Sequence, residues 1–174
     1  MTSERNSSAK QPSLRRLVDP SIWIACYRIG RLEALLRLPG IAIARPAVRE
    51  LRLGTDDLSE RVQKALGDDC FDVDISDGVS DTLSDILNLR DRRLSEADSS
   101  QVAYATQHSH CTVLYMRDGP AERQARGIGA PVRSHLVLVE DMIKLKVISQ
   151  SEAVRLREQL EAYYGQRRSR RHRR

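Results

Sequence analysis

Apolar residues recur along most of this chain with one of two periods, and the changes between them outline a fold. Leu14 to Val18 is a short apolar-ended run closed by Asp19-Pro20-Ser21, which reads as a strand feeding a helix, with Pro20 in the first turn. Ile22, Ala25, Ile29, Leu32 and Leu36 then recur at helical spacing until Pro39-Gly40. Ile41 to Ala44 has the character of a strand. Pro46 opens a short helix, Ala47 to Leu53, before Gly54.

The middle of the chain is less regular. Asp57 to Leu66 predicts a helix stopped by Gly67. Cys70 to Ile75 predicts a strand with Phe71, Val73 and Ile75 on one face, and Val79 to Leu89 a further helix. Ser95 starts a helix that reaches about His108. Thr112 to Met116 is the clearest strand. Gly119-Pro120 leads into a polar helix to Arg126, Val132 marks a minimal strand, and Leu136 to Lys146 places Leu136, Val139, Met142 and Ile143 on one face. In the last helix Ser149 and Glu152 form a capping box, Ala153, Leu156, Leu160 and Tyr163 form the stripe, and Gly165 is the expected end. Strands alternating with helices predict an α/β fold: a central parallel sheet with helices on both faces. Residues 1–13 read as a disordered lead.

Composition narrows the class. The chain has 174 residues, 40% hydrophobic and 30% charged, enough for one folded domain. Aromatics make up only 4%, which argues against reading single-stranded bases by stacking alone. No apolar run approaches the roughly 20 residues that span a bilayer, so no membrane partner is expected. The polar start and three widely spaced cysteines (Cys26, Cys70, Cys111) fit a reducing, cytoplasmic setting.

The net charge of +5 is unevenly placed. The last eight residues hold six arginines, Arg167, Arg168, Arg170, Arg171, Arg173 and Arg174; without them 23 basic residues face 24 acidic ones. Residues 56–98 carry thirteen acids against five bases. A slightly acidic body with a basic 166–174 tail suits cations held in a site and phosphates gripped at the rim, or equally a solubilising surface with an idle end.

Ligands of parallel α/β sheets bind beyond the carboxyl ends of the strands. Asp19 and Asp118 each follow such a strand. As a pair they would need a cation between them, and oxygen-only ligands suit Mg²⁺ or Mn²⁺. Each could instead simply cap the helix that follows. Glu50 could be an ordinary surface residue, and Asp98 could serve only the capping pattern of Ser95-Glu96-Ala97-Asp98. His108-Ser109-His110-Cys111 lacks partners at zinc-ligand spacing, and Gly127-Ile128-Gly129 reads as a turn rather than a phosphate loop.

At these residues the chain resembles a known family. LVDPSIWIACYRIGRLEALLRLPGIAIARPAVREL resembles the opening of PIN-domain nucleases, LSEADSSQVAYA their third acidic element, and CTVLYMRDGPAERQARGIGAPV their strand ending in T-x-D. VRSHLVLVEDMIKLKVIS is similar to the closing helices, so the resemblance spans about residues 14–160 within a 14–165 domain. It implies a PIN-like fold and a metal-dependent endoribonuclease acting on RNA phosphodiester bonds, of the kind that serves as the toxin of toxin–antitoxin pairs. It implies Asp19, Glu50, Asp98 and Asp118 as catalytic acids, with Asp19, Asp98 and Asp118 on Mg²⁺ or Mn²⁺ and Ser21 and Glu96 in support. RNA, an antitoxin protein and a second copy of the chain are the implied partners, with the tail arginines on RNA. Two positions depart from the pattern: Pro20 fills the middle of D-x-S, and Met116 replaces a threonine hydroxyl that would support the site. Residues 55–93 match poorly and read as an insertion. An inactive PIN-fold module that binds nucleic acid or protein is the alternative.

Overall fold

The computed structural model describes residues 13–52, 57–73, 94–117 and 119–171, with side chains as far as 166. The first strand, β1 (Arg15–Val18), leads into α1 (Pro20–Arg28) and α2 (Leu32–Leu36). Next come β2 (Ile41–Ala44), α3 (Arg45–Arg52), α4 (Leu58–Leu66), a 3₁₀ turn over Gly67–Asp69, and β3 (Cys70–Phe71). Further along come α5 (Glu96–Gln107), β4 (Thr112–Met116), α6 (Pro120–Gly127), β5 (Val132–Ser134), α7 (His135–Lys144) and α8 (Gln150–Arg171).

The strands form one sheet in the order β3-β2-β1-β4-β5, and every pairing is parallel. The expected fold class is therefore observed: α/β, a parallel sheet with helices on both faces. The period-2 alternation of the strands divides the core in two. Val18, Ile41, Ile43, Val113 and Tyr115 face a cluster built with Trp23, Leu35, Leu51, Leu138 and Leu156. Leu17, Ala42, Leu114, Met116 and Val132 face the opposite cluster, closed by Val102 and Ala105 of α5 and Ala125 of α6. Within the first cluster the Tyr115 hydroxyl, 2.6 Å from Asp141 Oδ2, donates to that carboxylate, which Arg133 also holds at 3.0 Å.

Several expectations need correction. The helix from Ile22 to Leu36 is two helices. Gly30 takes φ +70°, and the Gly30 and Arg31 amides donate back to the Tyr27 and Cys26 carbonyls, the pattern of a glycine-terminated helix end. The Cys70 strand is only two residues long where described; Ile75, Val79–Leu89, Leu53 and Gly54 lie outside the described residues. On α7 it is Leu138, not Leu136, that enters the core, with Val139 and Met142. Gly165 does not stop the last helix. A glycine within a helix costs only about 1 kcal/mol relative to alanine, and Tyr164 rather than Tyr163 continues the buried stripe of Ala153, Leu156 and Leu160. The backbone stays helical to Arg171.

Gly40 is required where it stands. Its φ is +70°, and a Cβ there would lie 2.2 Å from the Leu14 carbonyl oxygen. That close approach brings β1 beside β2, and the Arg16 amide donates to the Gly40 carbonyl at 2.7 Å.

Candidate functional site

Chain order reverses at β1. Its β2 side continues outward to β3, and its other side meets β4, which pairs outward to β5. The carboxyl edge between β1 and β4 is therefore the crevice where such sheets place ligands. Asp19 sits there, its amide donating to the Tyr115 carbonyl at 2.9 Å. The preceding carbonyl, Val18 O, accepts two buried donors, Trp23 Nε1 at 3.1 Å and Gln101 Nε2 at 3.3 Å. The strand end that delivers Asp19 is thus tied to α1 and α5.

Asp19 also caps α1. Its Oδ1 accepts the Ser21 amide at 2.5 Å, and Pro20 occupies the first turn, where no amide is needed. Ser21 supports Asp19 through its side chain as well as through its backbone N–H. The cap uses Oδ1; capping and a ligand role are compatible.

Ser95 joins the second and third acids. It is the N-cap of α5, and its Oγ accepts the Asp98 amide at 3.1 Å. The same Oγ donates to Glu50 Oε2 of α3 at 3.0 Å. Glu96 behaves differently from Asp98: it is exposed and pairs with Arg49 at 3.2 Å.

Electrostatics bring three of the expected acids into one neighbourhood. Burial holds the Asp19 carboxyl above the ordinary range against the pull of its Ser21 bonds; Glu50 raises it further and Arg117 lowers it. The Asp98 carboxyl is pushed up to about 7, first by burial, then by the charges of Asp19 and Glu50. Asp19, Glu50 and Asp98 therefore feel one another across three elements, β1's end, α3 and α5. Asp118 and residues 172–174 lie outside the described residues, as do the side chains of Arg167, Arg168, Arg170 and Arg171. Among the described residues, no three His, Cys, Asp or Glu side chains close into a ready-made metal-ligand set. Met116 is buried and packed into the second core cluster.

Two polar residues here escaped the sequence reading. Arg117 follows β4 and faces Asp19, and its guanidinium lies 4.4 Å from the Tyr164 ring centroid. A base next to a candidate acid at a strand end was the available signal. Gln101, one turn after Asp98, is 1% exposed, and its Oε1 has no hydrogen-bond partner among the described residues. Nothing in the local sequence marks it, because its partner at Val18 is 83 residues away.

The donor chemistry fits a hard divalent cation. Three carboxylates offer oxygen ligands only, and the Asp19 and Asp98 carboxyls are raised first by burial and then by the neighbouring acid charge, both of which a bound cation would offset. Comparison with protein-family models, with curated proteins and with solved structures gives no match to this chain.

Proposed function

We propose that this chain is a PIN-like, Mg²⁺- or Mn²⁺-dependent endoribonuclease. The observation that carries the reading is the gathering of Asp19, Glu50 and Asp98 at the carboxyl edge of a parallel sheet, Asp19 fixed at the end of β1 and Ser95 bonded to both Glu50 and Asp98. A like-charged, partly buried trio costs stability unless something positive offsets it.

Asp19 and Asp98 would hold the cation, with Asp118 as the further ligand that the family resemblance implies. A bound Mg²⁺ or Mn²⁺ supplies charge neutralisation at a phosphate oxygen and a more acidic water. Glu50, held by Ser95, adds negative charge that favours the cation's entry. Arg117 offers a guanidinium to a non-bridging phosphate oxygen at the same edge. Val18's two buried donors keep the Asp19 backbone from shifting. The basic end of α8 would add sequence-blind attraction for RNA.

The inactive PIN-fold module is the second reading, favoured by one observation: buried Met116 gives the site no hydroxyl at that position. A single experiment separates the two. Incubation of the purified chain with single-stranded RNA and Mn²⁺ should yield cleavage that EDTA stops and that Asp19→Asn and Asp98→Asn both remove. RNA that stays intact with the wild-type chain, or is cut equally by both variants, overturns the nuclease reading.

A further inference from the structure

A second feature lies on the other flank of α3. Arg45, Arg49 and Arg52 recur at helical spacing and line a cavity of about 300 Å³, completed by Gln63 of α4, Cys70 of β3 and Asp72. Arg45 pairs with Asp72 at 3.1 Å and Arg49 with Glu96 at 3.2 Å. All four of these side chains are more than half exposed, and such pairs are weak and easily exchanged. Arg52 has no carboxylate partner among the described residues; its Nε donates to Ser59 Oγ at 3.3 Å. Three guanidinium groups thus border one cleft, and Asp72 is the only acid among the described residues of its wall.

We infer that this cleft is an oxyanion site for a phosphate group, carried by a polynucleotide backbone or by a small phosphorylated molecule. Guanidinium groups are planar forks that match phosphate oxygens two at a time. Two of them can turn from exposed carboxylates to a phosphate with little loss, and Arg52 has no such partner to leave. Gln63 Nε2 donates to Ser59 Oγ at 3.0 Å, so an amide donor stands in the same wall. The volume, at the lower end of the range for ligand clefts of about 300–1,000 Å³, suits a phosphate and part of what bears it. The site needs no metal, so it stands or falls apart from the nuclease reading.

The test uses the full chain in EDTA, so that nothing is cut. Melting is followed with inorganic phosphate against chloride at equal ionic strength, and binding of a single-stranded oligoribonucleotide is followed across a salt series. The variants are Arg52→Gln, Arg49→Gln/Arg52→Gln, and, as a control outside the cleft, the exposed Arg123→Gln. Phosphate should raise the wild-type and Arg123→Gln melting temperatures and leave that of Arg49→Gln/Arg52→Gln unmoved. If the phosphate belongs to RNA, the double variant should bind the oligonucleotide about tenfold more weakly or worse. Its log–log salt slope should then be flatter by about 1.4, since two phosphates are no longer neutralised. A phosphate response with unchanged RNA binding assigns the cleft to small phosphorylated molecules. Equal responses in wild type and double variant, or none in wild type to either probe, overturn the site. All substitutions are on exposed side chains, and circular dichroism of each variant checks the fold.

Discussion

Ser95 Oγ stands 3.0 Å from Glu50 Oε2, and through it the start of α5 is bonded to α3. One hydroxyl accepts the Asp98 amide and donates to a carboxylate that presses on Asp98's own charge. Ser95→Ala removes both bonds. Loss of the cap should lower stability by about 1 kcal/mol, which lowers the melting temperature of a chain this size by roughly 2–4 °C. Ser95→Asp restores a cap acceptor but adds a fourth charge, so it should not recover the loss. An unchanged melting temperature in Ser95→Ala would remove Ser95 from the frame of the site.

Asp98 makes stability depend on pH. Its carboxyl titrates at about 7 folded and near the ordinary 3.8 unfolded, so the folded chain holds an extra proton between those values. The stability this group contributes is complete below about pH 4 and is lost as pH rises through 7. In EDTA, wild-type melting temperature should therefore fall from about pH 4 toward about pH 8. Asp98→Asn should flatten that decline and melt higher than wild type at the alkaline end. The raised Asp19 carboxyl contributes with the same sign and should leave a residual slope. Parallel pH curves for the two proteins would contradict the raised Asp98.

Metal response separates a ligand from a cap at Asp19. Asparagine caps a helix about as well as aspartate, so a cap alone predicts little change in Asp19→Asn. A ligand predicts that Mn²⁺ stabilises wild type, by about 2.7 kcal/mol at a hundred times its dissociation constant, and stabilises Asp19→Asn far less. Melting of both proteins with EDTA and with Mn²⁺ provides the comparison. Equal Mn²⁺ shifts would leave Asp19 a cap.

Tyr115 and Asp141 test the scaffold away from the acids. Burial and then the Asp141 bond push the Tyr115 hydroxyl up to about 12, so it donates throughout the neutral range. Tyr115→Phe leaves a buried carboxylate with Arg133 and, at 3.7 Å, Lys144. The expected loss is about 1–3 kcal/mol by chemical denaturation with an unchanged m-value. A loss well below that range would mean the two cations satisfy Asp141 unaided.

Removal of residues 167–174 takes away six arginines. RNA affinity should fall, and the log–log salt slope should flatten by about 0.7 for each phosphate that the arginines had neutralised. An unchanged slope would leave the basic end without a role in RNA binding.

The strands and most helix starts were legible because each is a local statement. β1, β2 and β4 are short apolar runs closed by Pro, Gly or Asp, and Ser149 with Glu152 marks a helix start within four residues. The break at Gly30 was hidden because Leu32 and Leu36 keep the helical spacing that Ile22 and Ala25 begin. Gly165 misled in the opposite sense: the burial of Tyr164 against the body outweighs one glycine's preference. At the site, each acid was visible singly, and Asp98 was set ahead of Glu96 by the family resemblance rather than by the local pattern. Their environments differ through Arg49 on another helix, which capping patterns do not encode. The arginine cleft was invisible for the same reason, since α3 supplies the charges but α4 and β3 supply the wall.

The strand order also sets a timetable. Among the described strands β1 is made first and lies at the centre of the sheet, yet its partner across the β4 edge begins 97 residues later. At synthesis rates of about 5–20 residues per second, that edge stays bare for roughly 5 to 20 s on the ribosome. A bare strand edge is a template for the wrong partner. Because Asp19 leans on Tyr115, the acidic edge comes into being only after two thirds of the chain has emerged, and no shorter nascent chain contains it.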